Sequence, residues 1–164
     1  MGYSGHKHQT GQKTIGITDE RGNVLAPIEC YAVNISDIVL LQCSLQNLTK
    51  VTRSVGIDLT GSICNGDMGF DSKKNRKAIW NRGMLPNIPE NTRRRDTAKP
   101  KRGRPRHFSK KSYDKRFAVE RTFGWEDKYR SLVTRYDRKQ ANYRGRKTLV
   151  YTLINLRYFC GKWK

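Results

Sequence analysis

Apolar and aromatic side chains recur at helical spacing from Tyr113 to Tyr136, with one acidic residue, Glu120, near the middle of the stretch. This pattern predicts an amphipathic helix. Tyr113, Arg116 and Glu120 are three and four residues apart, so a helix brings them to one face. A carboxylate among apolar neighbours requires a charged partner, a metal or water. Glu120 is therefore either an ion-pair partner of Arg116 or a metal ligand. The predicted apolar positions are Phe117, Phe123, Trp125, Leu132 and Val133.

Hydrophobic patterning also predicts the remaining elements. Apolar and polar side chains alternate in residues 13–18 and 24–30, which predicts the two strands of a hairpin with its turn at residues 19–23. Asp19, in this turn, is interpreted as a turn former rather than a catalytic group. An apolar period through Leu48 predicts a helix with Ser36 or a neighbour as its cap and Asp37 in its first turn. The other expected elements are strands at 62–67 and 85–88, a helix running through Trp80, and a last helix at 148–160.

Asp67 lies where a short apolar run meets a glycine-containing turn and then a helix. Sheets of α/β proteins place ligand and metal groups at this kind of strand end. The alternative for Asp67 is an ordinary turn residue. For Asp71, four residues later, the favoured interpretation is a helix N-cap.

The net charge of the chain indicates which class of molecule it binds. The chain carries 34 Lys and Arg against 14 Asp and Glu, a net charge of +20, which favours a polyanion such as nucleic acid. Residues 91–116 hold 12 of these basic residues and 2 Asp, so we expect an exposed basic loop at 91–112, before the Glu120 helix. Its RGRP run resembles an AT-hook for a narrow minor groove, but sequence-independent phosphate contact is the simpler alternative. The candidate DNA contacts there are Arg102, Arg104 and Arg106.

The spacing of the cysteines and the hydropathy of the chain give expectations for its cellular compartment. The four cysteines show no metal-binding spacing and lie in apolar surroundings, so we expect buried free thiols in a reducing cytoplasm. No apolar run approaches the ~20 residues that a membrane-spanning helix needs.

Four stretches together resemble bacterial insertion-sequence transposases of the DDE class, in the IS4/IS5-like superfamily. They are KTIGITDERGNVLAPIECYAVNISD, NGDMGFDSKKNR, YDKRFAVERTFGWEDKYRSLVTRYDR and RKTLVYTLINLRYFC. The third is the most specific, because Tyr113, Arg116 and Glu120 match the spacing of the family motif. That motif continues with a lysine seven residues after the glutamate, where this chain has Asp127, followed by Lys128.

The resemblance implies an RNase H-like α/β fold, with a mixed sheet flanked by helices, and a DDE triad that binds two Mg²⁺ or Mn²⁺ ions. Asp67 is similar to the second acid of the triad and Glu120 to the third. Two metals ~4 Å apart would stabilise the attacking and leaving oxygens of a phosphodiester. Tyr113 and Asp71 would support the site, and Arg116 would support Glu120 or contact phosphate. Lys128, Arg130 and Arg135 would follow the DNA backbone.

In the family, the first acid lies on a strand that would precede residue 12 here, and residues 1–11 contain no acid. We therefore expect a flexible lead-in at 1–11 and an N-terminally truncated transposase domain at 12–164, as an incomplete copy or a second reading frame. Such a protein would act on double-stranded DNA in the bacterial nucleoid, where assembly as a homo-oligomer is part of the expectation. The isolated chain is expected to bind DNA without cutting it. The competing hypotheses are a catalytically inactive DNA-binding remnant and an unrelated basic protein of AT-hook or ribosomal type.

Overall fold

The computed structural model describes residues 2–5, 8–26, 29–92, 103, 106–134 and 136–160. Helices and short strands are mixed along the chain, which confirms the predicted α/β class. A 3₁₀ turn spans Met68–Phe70. The strands are β1 (Gly2–Ser4), β2 (Gln9–Thr14), β3 (Cys30–Ala32), β4 (Ile63–Asn65) and β5 (Leu85–Asn87). The helices are α1 (Asp37–Ser54), α2 (Lys73–Trp80), α3 (Lys110–Asp114), α4 (Phe117–Glu126), α5 (Arg130–Val133) and α6 (Gln140–Cys160).

The strands form two separate sheets within the described residues, whereas the resemblance implies one mixed sheet. β1, β2 and β3 are antiparallel in that order, and β4 pairs in parallel with β5. Four of the five strands are only three residues long. Pro86 lacks an N–H at the centre of β5, which limits its ladder with β4.

The strands at the N-terminus have other bounds than the predicted hairpin. β2 ends at Thr14, and residues 15–26 add only an isolated bridge between Thr18 and Val24. The expected lead-in at 1–11 contains β1 and the start of β2. The turn itself is confirmed, because the Asp19 carboxylate accepts the N–H groups of Arg21 and Asn23 at 2.9 and 2.8 Å.

The largest core cluster lies between α1 and α2. Of the apolar face predicted for α1, Leu41, Leu45 and Leu48 are buried against Ile79 of α2 and against Met84 and Ile88 around β5. Ile38, the first residue of that predicted face, is exposed. Ser36 occupies the N-cap position without a side-chain cap bond, and Asp37 pairs with Lys13 at 2.8 Å. A second cluster joins α5 to α6 through Leu132, Val150, Tyr151 and Ile154.

The stretch from Tyr113 to Tyr136 forms three helices instead of one, and its predicted apolar face is partly wrong. Phe117 is 65% exposed and Val133 is 62% exposed. The buried positions of α4 are instead the small or polar residues Ala118, Thr122 and Glu126. Thr122 and Glu126 can be buried because each has hydrogen-bonding partners: the Thr122 hydroxyl lies 2.7 Å from the Gly22 carbonyl.

The remaining expectations are met in part. α6 begins eight residues before the predicted Thr148. All four cysteines are free, but Cys43 and Cys160 are exposed, so the prediction of buried thiols fails for these two. Among the helices described, none is long and apolar enough to cross a membrane.

A buried polar cluster joins α4 to α6 and β2. Glu126 accepts a hydrogen bond from the Tyr151 hydroxyl and pairs with Lys147 at 3.0 Å. The Lys147 ammonium also lies 3.1 Å from the Thr14 hydroxyl. Burial, followed by the hydrogen bond to Glu126, raises the pKa of Tyr151 above its ordinary value. Each charge in this cluster has a partner, as buried charges require.

We predict that Glu126→Gln lowers the free energy of unfolding by roughly 3–5 kcal/mol, because it leaves Lys147 buried without its counter-charge. Denaturant titration followed by circular dichroism measures the change. The control is Glu20→Gln, which removes an exposed carboxylate paired with Lys115 and should change little. Equal losses for the two variants would show that the buried cluster contributes no special stability.

Candidate active site: an acid pair joined by Arg116

Asp67 and Glu120 come from distant parts of the chain. Asp67 follows β4 and directly precedes the 3₁₀ turn, and Glu120 lies in the first turn of α4. The two carboxylates, called here the acid pair, meet because α3 packs against the end of the parallel sheet. The residues that attach α3 are asparagines that the sequence analysis did not single out.

Asn87 makes this attachment. Its amide nitrogen donates to the Asn65 side chain at 2.7 Å and to the Ser109 carbonyl at 3.0 Å. Its amide oxygen accepts the Ser109 backbone N–H at 2.9 Å. Ser109 in turn caps α3 by accepting the N–H of Ser112. The polar ends of β4 and β5 therefore fix the start of the helix that carries Tyr113.

The shared face predicted for Tyr113, Arg116 and Glu120 survives the break between α3 and α4. Lys115 and Arg116 keep helical backbone angles, with φ/ψ of −65°/−13° and −56°/−25°. Since the chain continues to turn as a helix through the break, the three- and four-residue spacing still places these side chains together.

Arg116 lies between the two carboxylates. Its Nη1 is 3.1 Å from Oδ1 of Asp67, and its Nη2 is 2.8 Å from Oε1 of Glu120. The Tyr113 hydroxyl is 3.4 Å from the same Asp67 oxygen, which is a weak hydrogen bond. The ion pair between Arg116 and Glu120, one of the two interpretations that the sequence left open for Glu120, is present, and Asp67 is a second partner of the same guanidinium.

The surroundings of Arg116 favour the protonated, positively charged form of its guanidinium. Burial alone would lower the pKa of this guanidinium, but the Asp67 carboxylate, followed by Tyr113 and Glu120, raises it above its ordinary value. The rings of Tyr113 and Phe117 lie 5.5 and 6.0 Å from the guanidinium carbon. The acid pair itself is open to solvent, with 53% of the Asp67 side chain and 46% of the Glu120 side chain exposed.

The acid pair has the donor type that a divalent cation requires. Carboxylate oxygens are the ligands that Mg²⁺ prefers, and these two already enclose a positive charge. No group of three or more His, Cys, Asp or Glu side chains that could hold a metal occurs in the described part of the chain. The acid pair therefore offers two ligands for a metal.

Asp71 is not the helix N-cap that we predicted. Ser72 caps α2 by accepting the N–H of Asn75, because the chain enters the helix one residue later. The Asp71 side chain is only 7% exposed and binds Arg76 Nε at 2.8 Å and Arg106 Nη1 at 2.8 Å. Its second oxygen accepts the N–H of Asn91 at 2.9 Å. Asp71 and its partners Arg76, Asn91 and Arg106 are called the Asp71 cluster below.

The residues predicted to contact DNA differ in their partners and exposure. Arg106 is bound to Asp71, whereas Lys128 and Arg130 are exposed at the end of α4 and the start of α5. Arg102, Arg104 and Arg135 lie outside the described residues.

Comparison with known families places this geometry in context. The transposase DDE domain family matches residues 65–157, more than half of the 164 residues. The chain belongs to this family. Asp67, Arg116 and Glu120 all lie within the matched span of this DDE transposase domain. Neither the curated proteins nor the solved structures that were compared contain a match.

The Asp71 cluster of the transposase domain should make the free energy of unfolding depend on pH in the acidic range. Burial opposes ionisation of Asp71, but the Asn91 N–H and the arginines prevail and lower its pKa below the ordinary 3.8. A lowered pKa contributes stability above pH 3.8, and this contribution is lost as the pH falls through the folded-state pKa. We predict that wild type is more stable than Asp71→Asn at pH 7 and that the difference shrinks below pH 3.8. Urea titrations from pH 7 to pH 3 measure it. A difference that stays constant would contradict an ionised Asp71.

Proposed function

We propose that this DDE transposase domain takes part in metal-dependent cleavage and strand transfer of DNA, with Asp67 and Glu120 as two of the metal ligands. One observation carries the proposal: two carboxylates from distant elements lie on a single guanidinium inside the family match. The finer assignment to the IS4/IS5-like superfamily rests on the motif of Tyr113, Arg116 and Glu120.

Mg²⁺ or Mn²⁺ would supply the electrostatic stabilisation that phosphodiester chemistry needs at the attacking and leaving oxygens. The residues of this chain would hold the acid pair in place. Arg116 sets the relative positions of Asp67 and Glu120, and the Tyr113 hydroxyl adds a weak contact to Asp67. Arg116 also carries the positive charge nearest to the acid pair, where a phosphate of the substrate would approach.

The proposed substrate is double-stranded DNA, at the ends of a mobile element and at its target. A net charge of +20 supplies a strong, sequence-independent attraction for phosphate. Lys128 and Arg130 are exposed after α4, which places both beyond the C-terminal end of the helix that carries Glu120. Arg102, Arg104 and Arg135 are proposed contacts on the basis of the sequence. Assembly of two or more copies on DNA is part of the same proposal.

DNA binding without cleavage is a second candidate function. The observation that favours it is the pairing of Arg116 with both acids, because such a pairing is also a stable arrangement of ordinary ion pairs. The same guanidinium would then serve only to hold α4 against the end of β4. The two functions share DNA binding and differ in what Asp67 and Glu120 do.

DNA binding should depend steeply on salt. We predict that Arg102→Gln/Arg104→Gln weakens binding to duplex DNA and reduces the slope of log K against log[salt] by about one unit per arginine. Fluorescence anisotropy between 50 and 300 mM KCl measures both quantities. An unchanged slope would exclude both arginines from the interface.

Residual cleavage tests the acid pair. We predict that the isolated chain binds DNA without cutting it, and that any residual nicking of supercoiled DNA in Mn²⁺ is abolished by Asp67→Asn and by Glu120→Gln while DNA binding is preserved, because each variant removes a metal ligand. The control is Asp114→Asn, which neutralises an exposed acid at the end of α3. Nicking that persists in both acid-pair variants would overturn their role as ligands. A wild-type chain that binds DNA without nicking it leaves the Mn²⁺ affinity of the acid pair to separate the two candidates.

A further inference from the structure

A groove beside α1 is lined by three cations. It has a volume of about 410 Å³ and lies between the C-terminal half of α1 and the turn that follows α2. The cations are Lys50, Arg53 and Arg82, and Gln46 and Thr49 also line the groove. No carboxylate is among its described lining residues. We call this surface the basic groove.

Arg82 is held in the basic groove by neutral groups. Its Nε donates to the Thr49 hydroxyl at 3.0 Å, and its Nη1 donates to the Ala78 carbonyl at 2.6 Å. The Thr49 hydroxyl donates in turn to the Leu45 carbonyl at 2.9 Å, which orients it to accept from Arg82. These bonds fix the guanidinium without neutralising its charge. A cation that is already fixed loses little conformational freedom when it binds an anion.

The charge of the basic groove is not offset by acids. Elsewhere in the chain, Arg76, Arg116 and Lys147 each pair with a carboxylate. Within the residues that the structure describes, none of the three groove cations forms an ion pair. Asp58, the first acid after α1, accepts two hydrogen bonds from its own turn instead. A concave cluster of cations without acidic partners attracts an anion from solution.

The cations of α1 are spaced to follow a polyanion. Lys50 and Arg53 are exposed and three residues apart, and Gln46 is four residues before Lys50, so the three share one face of the helix. Three residues of an α-helix rise about 4.5 Å, and phosphates along one DNA strand are spaced by about 3.4 Å of helix axis. The row therefore suits successive phosphates of a nucleic-acid backbone.

The basic groove and the acid pair lie at opposite ends of the parallel sheet. Asp67 follows the C-terminal end of β4. Arg82 precedes β5, and the adjoining Gly83 carbonyl accepts the Gly61 N–H at 2.8 Å, so the segments that lead into β4 and β5 lie side by side. Since β4 and β5 are parallel, these segments mark the N-terminal end of both strands. The basic groove is therefore a surface separate from the acid pair.

We propose that the basic groove binds the phosphate backbone of duplex DNA, as a contact surface separate from the acid pair. The inference rests on the proposed DNA-binding function and adds to it a second surface, at the other end of the sheet. It does not depend on Asp67 and Glu120 as metal ligands.

Cys43 reports on the basic groove in the unaltered protein. It is exposed and lies three residues before Gln46, so its thiol is one helical turn away on the same face of α1. We expect saturating duplex DNA to slow alkylation of Cys43 several-fold, as read by peptide mass spectrometry. Cys160, which is exposed at the end of α6, is the internal reference and should react as before. An unchanged rate for Cys43, or equal protection of both thiols, would overturn the inference.

A double substitution tests the cations themselves. We expect Lys50→Gln/Arg53→Gln to weaken duplex binding several-fold, to reduce the slope of log K against log[salt] by about two units, and to abolish the protection of Cys43. Both side chains are exposed, so the fold should be retained, which circular dichroism checks. If this variant does not fold, the protection of Cys43 in the wild-type chain still decides the question.

The matched control removes two cations that already have acidic partners. Lys13 pairs with Asp37 at 2.8 Å, and Arg144 pairs with Glu29 at 3.8 Å. Lys13→Gln/Arg144→Gln therefore lowers the net charge by the same two units and leaves the basic groove intact. It should reduce the salt slope by less than about one unit. Equal slopes for the two double variants would show that only net charge matters, and this would overturn the inference.

The same thiol distinguishes DNA from small anions. Inorganic phosphate, at the same total concentration of phosphate as the duplex, should leave the alkylation of Cys43 unchanged, because a single phosphate lacks the counterion release of a polyanion. Protection of Cys43 by inorganic phosphate as strong as that by duplex would show a site for small anions, and the assignment to DNA would be wrong.

The outcomes also distinguish this inference from the function on which it rests. A wild-type chain that fails to bind duplex DNA overturns both. A wild-type chain that binds duplex DNA and leaves Cys43 unprotected overturns only the role of the basic groove. Protection of Cys43 in a chain that binds no Mn²⁺ at the acid pair supports the basic groove and contradicts the metal site.

Discussion

The candidate site depends on one guanidinium. Two carboxylates from separate elements repel each other, and Arg116 offsets this repulsion with one donor for Asp67 and another for Glu120. Because the fork of an arginine is planar and rigid, it fixes the relative position of its partners as well as their charge. The same side chain is flanked by the rings of Tyr113 and Phe117, which restrict its movement. Arg116 therefore holds the two acids around one positive charge.

The fold supports this arrangement through polar contacts more than through apolar packing. The main core lies between α1 and α2, and a second one between α5 and α6. α3 is attached to the end of the parallel sheet by the side chain of Asn87, and the far end of α4 is tied to α6 by Glu126 and Lys147. Buried polar groups of this kind stabilise a structure only when every partner is present. Their geometry places Tyr113, Arg116 and Glu120 on the side where Asp67 follows the end of β4.

Sequence patterns predicted the elements whose cause is local. The apolar period predicted α1, and Asp19 was correctly interpreted as a turn former, since its carboxylate accepts two N–H groups of its own turn. The helical spacing of Arg116 and Glu120 also predicted their pairing. The buried face of α4 was missed, because Thr122 and Glu126 are buried by partners far away in the chain. The attachment by Asn87 and the cluster around Asp71 likewise join residues that no periodicity relates, so only the folded chain reveals them.

The proposed function requires Asp67 and Glu120 to form one cation-binding site. Titration of the protein with Mn²⁺, followed by electron paramagnetic resonance of the free ion, tests it without any DNA. Asp67→Asn and Glu120→Gln should each weaken Mn²⁺ binding at least about tenfold, a loss that even removal of an outer-shell partner can cause. Glu20→Gln, which removes an exposed acid paired with Lys115, should leave binding unchanged. Mn²⁺ affinities that are the same in wild type and in both acid-pair variants would contradict the account.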